Sequence, residues 1–470
     1  MPNAFAWVAL AAWPLVALAV YALRRGRASV ARTTTWMMLL PVMFLPSGVT
    51  FGGPGALNKD RIAFLSIWVA LQVFHQRDLA PGAPSRAFPR TVLAALAAGA
   101  FLTVFTNGDV LTFGPRVLPG LGLGDAASMV IRLVVSVYVP FVVGQQVYRT
   151  ERDLRDLLEV LSLCGLVYLP FCLVELRLSP QFHHWVYGFT PGTFAEALRG
   201  SGYRPIVFMD NGLAVAIFSF TTFAAALALG RARVRVGPPS PRLRTAVTGL
   251  LVLLCKSLAA ILYAAFAAPL RLLSSALVSR AAAALSVLVL AFPVLRMGLL
   301  VPIDRLIELF ARIDPARALS LAYRFKNEDA LILRALERPI FGWGYSARAW
   351  VYGADGSTTT VTDGLWIIFF GNSGLVGLFG FFALVIVPVF AVLRHRARMS
   401  PSAQVLASTL ALVVALYGVD SLPNSMFDFL PLAYAGALHT LAARLRRPAL
   451  AVSPSPALRA AAEPERAAAG

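Results

Sequence analysis

The sequence predicts an all-α polytopic membrane protein of about 12–13 transmembrane helices with one large external loop. Three observations predict it. Hydrophobic residues make up 58% of the chain, far above the 45–50% usual for a soluble domain. Apolar runs long enough for a bilayer, which needs roughly 20 residues per helical span, recur from one end to the other. Arginines gather in the short stretches between those runs, as the positive-inside rule requires.

The runs fall near 4–23, 34–51, 62–75, 91–106, 126–148, 157–175, 206–229, 245–270, 281–299, 364–393, 403–420 and 425–442. The first, Ala4–Leu23, has no basic stretch before it and no small-residue cleavage site after it, so a retained span is expected rather than a signal peptide. Basic loops at Arg24–Arg32, Arg77–Arg90, Arg149–Arg155, Arg231–Arg244 and Arg394–Arg398, with the tail from Arg444, are assigned to the cytoplasmic side. The run 245–270 then has basic flanks on both sides. It is expected to enter and return as two half-length helices turning at Cys255-Lys256-Ser257, which relieves the cost of a lysine at the bilayer centre. One long tilted span is the alternative. The hairpin places the N-terminus and the loop 300–363 outside and the C-terminus inside.

Within that loop, Ile303, Leu306, Ile307, Phe310 and Ile313 recur at helical spacing opposite Asp304, Arg305, Glu308 and Arg312, which predicts an amphipathic surface helix. A short helix over Asn327–Arg338, stopped by Pro339, and a loop over Gly342–Thr362 are expected to follow. Residues 1–447 read as one membrane domain and 448–470, rich in Ala, Pro and Ser, as a disordered cytoplasmic tail.

The net charge of +19 does not imply nucleic acid, because the arginines sit in interspan loops without base-stacking aromatics. Cys164, Cys172 and Cys255 lie in apolar runs without metal-ligand spacing; the first two, on one helix, are too far apart to bridge, so all three read as core residues. The doublet His183-His184 reads as loop, and Asp420 and Asp428 as surface carboxylates flanking the turn Leu422-Pro423-Asn424.

The stretch from Arg324 to Gly377 carries three linked features. They are an arginine ahead of a short helix, the turn Pro339-Ile-Phe-Gly342-Trp-Gly344, and Asp363-Gly364 followed after nine residues by Gly374 and after two more by Gly377. Together they resemble the O-antigen ligase and O-antigen polymerase family of bacterial envelope enzymes. A second counterpart is the arginine-bearing loop Arg199-Gly-Ser-Gly-Tyr-Arg204-Pro. Ligases of that family carry histidine where Asp363 stands, so the resemblance leans toward a polymerase.

It implies a metal-independent glycosyltransferase without cofactor, acting on glycans linked to undecaprenyl diphosphate at the outer face of the bacterial inner membrane. Membrane lipids, a chain-length regulator and a flippase are the expected partners. Negative charge grows on the departing diphosphate, and arginine suits it because it stays protonated and grips phosphate oxygens in a fork. Arg204 and Arg324 are expected to serve there, with Asp363 as the base or orienting group for the acceptor hydroxyl. Lys256, Arg199, Arg348 and Arg132 are expected to bind substrate, whereas Arg334 and Arg338 read as a solvated helix face. The runner-up activities are a ligase acting on a lipid or protein acceptor, a lipid-linked oligosaccharide flippase or sugar exporter, and an inactive assembly scaffold.

Overall fold

A computed structural model of the chain describes residues 1–53, 55–76, 87–192, 197–199, 202–234, 236–270, 272–298, 300–313, 315–345, 347–425 and 429–446. The expected tail 448–470 and Asp428 lie outside them.

The helices are α1 Ala4–Arg24, α2 Val30–Phe44, α3 Lys59–Phe74 and α4 Ala87–Phe105. Then come α5 Leu123–Leu133, continued through a π-helical turn at Val134–Tyr138 into α6 Val139–Val147, and α7 Glu151–Leu178 with the short α8 Phe182–Tyr187. Next are α9 Gly212–Ala232, α10 Pro241–Leu254, α11 Leu258–Leu270 and α12 Ser275–Met297. The long loop contributes α13 Ile303–Ile313 and α14 Pro315–Leu336, and the chain finishes with α15 Leu365–His395, α16 Pro401–Asp420 and α17 Leu430–Arg446. Two small antiparallel ribbons, Leu111–Phe113 with Arg116–Leu118 and Leu198–Arg199 with Gly202–Tyr203, decorate the loops.

Eight of the described helical segments are long and apolar enough to cross a membrane, so the chain is an all-α multi-pass membrane protein. The shorter α2, α3 and α17, of 15, 16 and 17 residues, pack against the longer helices. One end is tied by the Asn3 amide to the Tyr187 carbonyl (2.9 Å), by Lys59 to Ser47 (2.6 Å) and by the Asn107 side chain to the Gly342 carbonyl (2.9 Å). This is the end that carries α13 and α14. The opposite end is tied by Ser400 to Glu151 (2.5 Å), Arg444 to the Arg149 carbonyl (3.0 Å) and Ser275 to Gln404 (2.9 Å).

The 245–270 segment is a hairpin, as its charged flanks predict. α10 leaves the opposite end beside the Glu159 carboxylate, 3.9 Å from the buried Arg244. It reaches mid-bundle at Cys255, whose sulfur is 3.3 Å from the Ser219 hydroxyl of α9. α11 then returns to the starting level, where Arg231 donates to the Leu273 carbonyl. Arms of 14 and 13 residues give each about 20 Å of rise, short of a full crossing. Lys256 sits at the tip with φ of +49°, exposed, its ammonium against Gly202. All three cysteines are buried and free.

The Pro339–Gly344 turn and the glycines after Asp363 form one structure. At Gly374 the helix α15 breaks (φ 61°, ψ −163°), a backbone state essentially reserved for glycine. The turn plugs into that break. Trp343 and Gly344 donate to the Gly371 and Asn372 carbonyls (2.8 and 2.9 Å), and Leu375 donates back to the Pro339 carbonyl (2.8 Å). A Cβ on Gly374 would overlap the Ile340 carbonyl. Gly374→Ala is therefore expected to lower the thermal midpoint and the folded yield in detergent, by a few kcal/mol of combined strain and overlap.

Some sequence expectations are corrected in this region. α14 begins at Pro315 rather than Asn327, because Ala318, Leu321 and Phe325 give the earlier turns an apolar face; Arg324 thus lies inside the helix. Asp363 stands one residue before the Gly364 cap of α15 and turns toward Arg324. His183 belongs to α8, buried, accepting from the Ser47 amide at 3.1 Å. Asp420 is buried rather than a surface carboxylate. The amphipathic helix is found as expected at Ile303–Ile313.

Candidate functional site

On α14, Arg324, Phe325, Glu328 and Leu331 fall on one helix face, and that face walls the larger of two cavities at the α13–α14 end. Its volume is about 540 Å³. The floor and sides are apolar: Leu288 and Phe292 of α12, Leu306 and Phe310 of α13, Ile367 of α15. The polar groups are few: Arg324, Glu328, Asp363 and Tyr263. Such a chamber, apolar with a small set of convergent polar groups, is the usual form of a ligand site.

Arg324 Nε lies 3.7 Å from Asp363 Oδ2, with side chains 40% and 34% exposed. A loose, half-solvated ion pair of this kind contributes little to stability, so both groups remain available to a ligand. Behind it is a tight one. Arg296, buried on the last turn of α12, sits 2.8 Å from Glu328 Oε1 and 2.7 Å from Asp329 Oδ1. The Trp366 indole donates to the other Glu328 oxygen at 3.2 Å. Burial pushes the Glu328 carboxyl up to about 7; the Arg296 charge and the indole bond oppose this, and the Asp329 charge adds to it. A carboxyl titrating near neutrality inside a cleft is a candidate acid or base.

That raised value has a stability consequence. Between about 4.5 and 7 the folded chain holds a proton on Glu328 that the unfolded chain has lost. Stability therefore falls as pH rises through this window. In thermal unfolding followed from pH 4.5 to 8, Glu328→Gln should lose this component of the slope.

Tyr263, at the cavity's edge, donates to Asp420 Oδ1 at 3.1 Å. Asp420 also lines a second cavity of about 260 Å³ with Lys59, Asp60, Asp210, Asn211 and Tyr417. Lys59 is buried there, donating to Ser47 Oγ at 2.6 Å and the Phe208 carbonyl at 3.0 Å. The two cavities thus meet across the Tyr263–Asp420 bond.

Arg204 is buried with its stem against Gly212, where a Cβ would collide with the guanidinium. Glu175 fixes the following backbone, accepting from the Ile206 and Val207 amides at 2.8 and 2.7 Å. The Lys256 ammonium lies against Gly202, two residues before Arg204 in the chain. The side chain of Arg199 lies outside the described residues.

Arg348 is brought to neither cavity. It is fully buried, donating to the Pro119 carbonyl (2.8 Å) and paired with Asp109 (3.3 Å). Arg338 shares that aspartate at 3.0 Å, and Arg334 and Arg338 stack over Trp343, with guanidinium carbons 3.4 and 4.3 Å from its ring centre. These three arginines tie the turn to the strand ribbon near Asp109; Arg334 and Arg338 are not a solvated face. Arg132 stands apart from both cavities, over Tyr345.

Sequence reasoning missed Glu328, Lys59 and Tyr263 and misplaced Asp420. Glu328 had a readable signal, one helical turn after Arg324 on the same face. Lys59 and Tyr263 had none, since their roles come from packing between distant segments.

Fold and cavity define a class: a multi-pass helical membrane protein with an apolar chamber bearing one ionic wall. Comparison with protein-family models finds no match, and comparison with curated proteins finds none either. Among the described residues no group of three His, Cys, Asp or Glu side chains is placed to hold a metal ion.

Proposed function

We propose that the chain is a glycosyltransferase that polymerises oligosaccharide repeats carried on undecaprenyl diphosphate, at the outer face of a bacterial inner membrane. The observation that carries this reading is the amphiphilic larger cavity, where an apolar chamber about 540 Å³ in volume has an arginine and two carboxyls on one wall. Its apolar side suits an isoprenoid chain and its ionic wall suits a sugar diphosphate. The motif residues Arg324 and Asp363 meet on that wall.

In the proposed reaction an acceptor hydroxyl oxygen forms a bond to the donor's anomeric carbon. The bond from that carbon to the diphosphate oxygen breaks, and the electron pair leaves with the diphosphate. Arg324 stabilises the growing negative charge. Asp363 orients the hydroxyl, and Glu328, whose carboxyl titrates at about 7, receives its proton. Arg204 and Lys256 line neither cavity and have no part in this step.

The test is the lipid-linked glycan of cells lacking the chain and of cells carrying Asp363→Asn, with inner and outer pools separated. Single repeats should accumulate outside in both. Accumulation inside indicates a flippase, an unchanged profile in the variant indicates a scaffold, and finished polymer that fails to reach a foreign acceptor indicates a ligase.

A further inference from the structure

Away from both cavities, at the α13–α14 end, two arginines, Arg61 and Arg132, lie near enough to repel one another. Arg61, on the first turn of α3, donates through Nε to Ser136 Oγ at 2.8 Å and through Nη1 to the carbonyls of Gly55 (2.8 Å) and Ala56. Ser136 lies in the π-helical turn, four positions after Arg132. Ser136 thus brings Arg61 against the helix that carries Arg132, and the Gly55 backbone rests on Ile131 of that helix. π-helical turns inside α-helices recur at functional sites because they re-aim side chains.

The Arg132 guanidinium lies 5.4 Å from the centre of the Tyr345 ring. Its Nε is buried and has no hydrogen-bond partner among the described residues. Both guanidinium groups act on Tyr345, each lowering a phenol that burial raises. Asp60, next to Arg61 in sequence, attracts it and also lines the second cavity, whereas Arg132 repels it. Two guanidinium groups held together, one with a buried donor that no described residue engages, suit an anion.

The anion's carrier is indicated by what adjoins it. Tyr345 also walls a narrow apolar crevice with Leu96, Met129, Leu133, Phe369 and Val376. Ile131, beside Arg132, is exposed on the membrane-crossing surface. A charged group at the arginines with hydrocarbon next to it is the shape of a lipid phosphate.

We propose that Arg61 and Arg132, beneath Tyr345, bind the phosphate group of a membrane lipid. This site stands on its own geometry and does not depend on the glycosyl-transfer reading. Arg132 grips the phosphate directly, and Arg61 holds the 55–56 turn while offering its remaining amino group.

The test uses the purified full chain in detergent and native mass spectrometry with four probes: a polyprenyl phosphate, phosphatidylglycerol, an uncharged diacylglycerol, and inorganic phosphate. One polyprenyl phosphate or phosphatidylglycerol should remain bound, and diacylglycerol should not. Arg132→Ala should cut the bound fraction about tenfold and Arg132→Lys should restore part of it. Because Arg61 also supports a turn, Arg132→Ala carries the test, with an unchanged thermal midpoint as its folding check. Equal lipid retention by Arg132→Ala and the parent overturns the proposal, as does failure of the parent to retain either lipid. Equal binding of diacylglycerol, or complete displacement by millimolar inorganic phosphate, overturns the lipid-phosphate assignment.

Discussion

Arg324→Ala should slow glycan elongation about 100- to 1,000-fold while leaving the folded protein intact. That range is what the loss of one donor aimed at developing transition-state charge costs. The argument rests on the contrast between two ion pairs. Arg324 and Asp363 are 3.7 Å apart and substantially exposed, so breaking the pair costs little stability. A departing diphosphate beside an apolar chamber has few other cations to meet, so its stabilisation depends on this arginine. The loss should appear in kcat more than in KM, because the charge it opposes is larger in the transition state than in the bound donor. Arg324→Lys should recover only part of the rate, since an ammonium lacks the planar fork. The check is elongation of a lipid-linked repeat by purified variants, with thermal midpoints measured beside it.

Arg296→Ala should do the opposite, destabilising the fold by about 3–5 kcal/mol at neutral pH through the loss of one partner of a buried pair. Arg296 is buried and engages Glu328 and Asp329 together, so its removal strands two carboxyls, one of them buried. Glu328 escapes most easily by keeping its proton. The deficit should therefore shrink as pH falls below about 7, where that carboxyl is already protonated in the parent. Thermal unfolding in detergent at pH 5 and pH 8 measures both the loss and its pH dependence. A deficit that does not change between the two would mean that Glu328 is not the group left unpaired.

The spans were legible in the sequence because bilayer thickness writes itself as run length. The hairpin at 255–257 was legible because arginines flank the run on both ends and a lysine stands at its middle. α13 was legible because Ile303, Leu306, Ile307 and Phe310 keep a helical period with charges opposite. The docking of the Pro339–Gly344 turn into the break at Gly374 left only glycines in the sequence. The bonds that make it run backbone to backbone between segments about thirty residues apart. The start of α14 was hidden by its polar face, and Asp420 by standing at the end of an apolar run beside a turn. Its partner Tyr263 comes from the hairpin, and no local pattern joins them. Arg348 shows the converse limit: an arginine beside a motif reads as a ligand-binding group until Asp109 is found against it.

The most direct measurement is elongation by the purified chain in lipid vesicles, given only its lipid-linked repeat and no other protein. The account predicts that chains several repeats long build up on the lipid carrier and that free undecaprenyl diphosphate is released in step, with both lost in Asp363→Asn. Repeats that cross the vesicle membrane without lengthening, or chains formed equally well by Asp363→Asn, would contradict it.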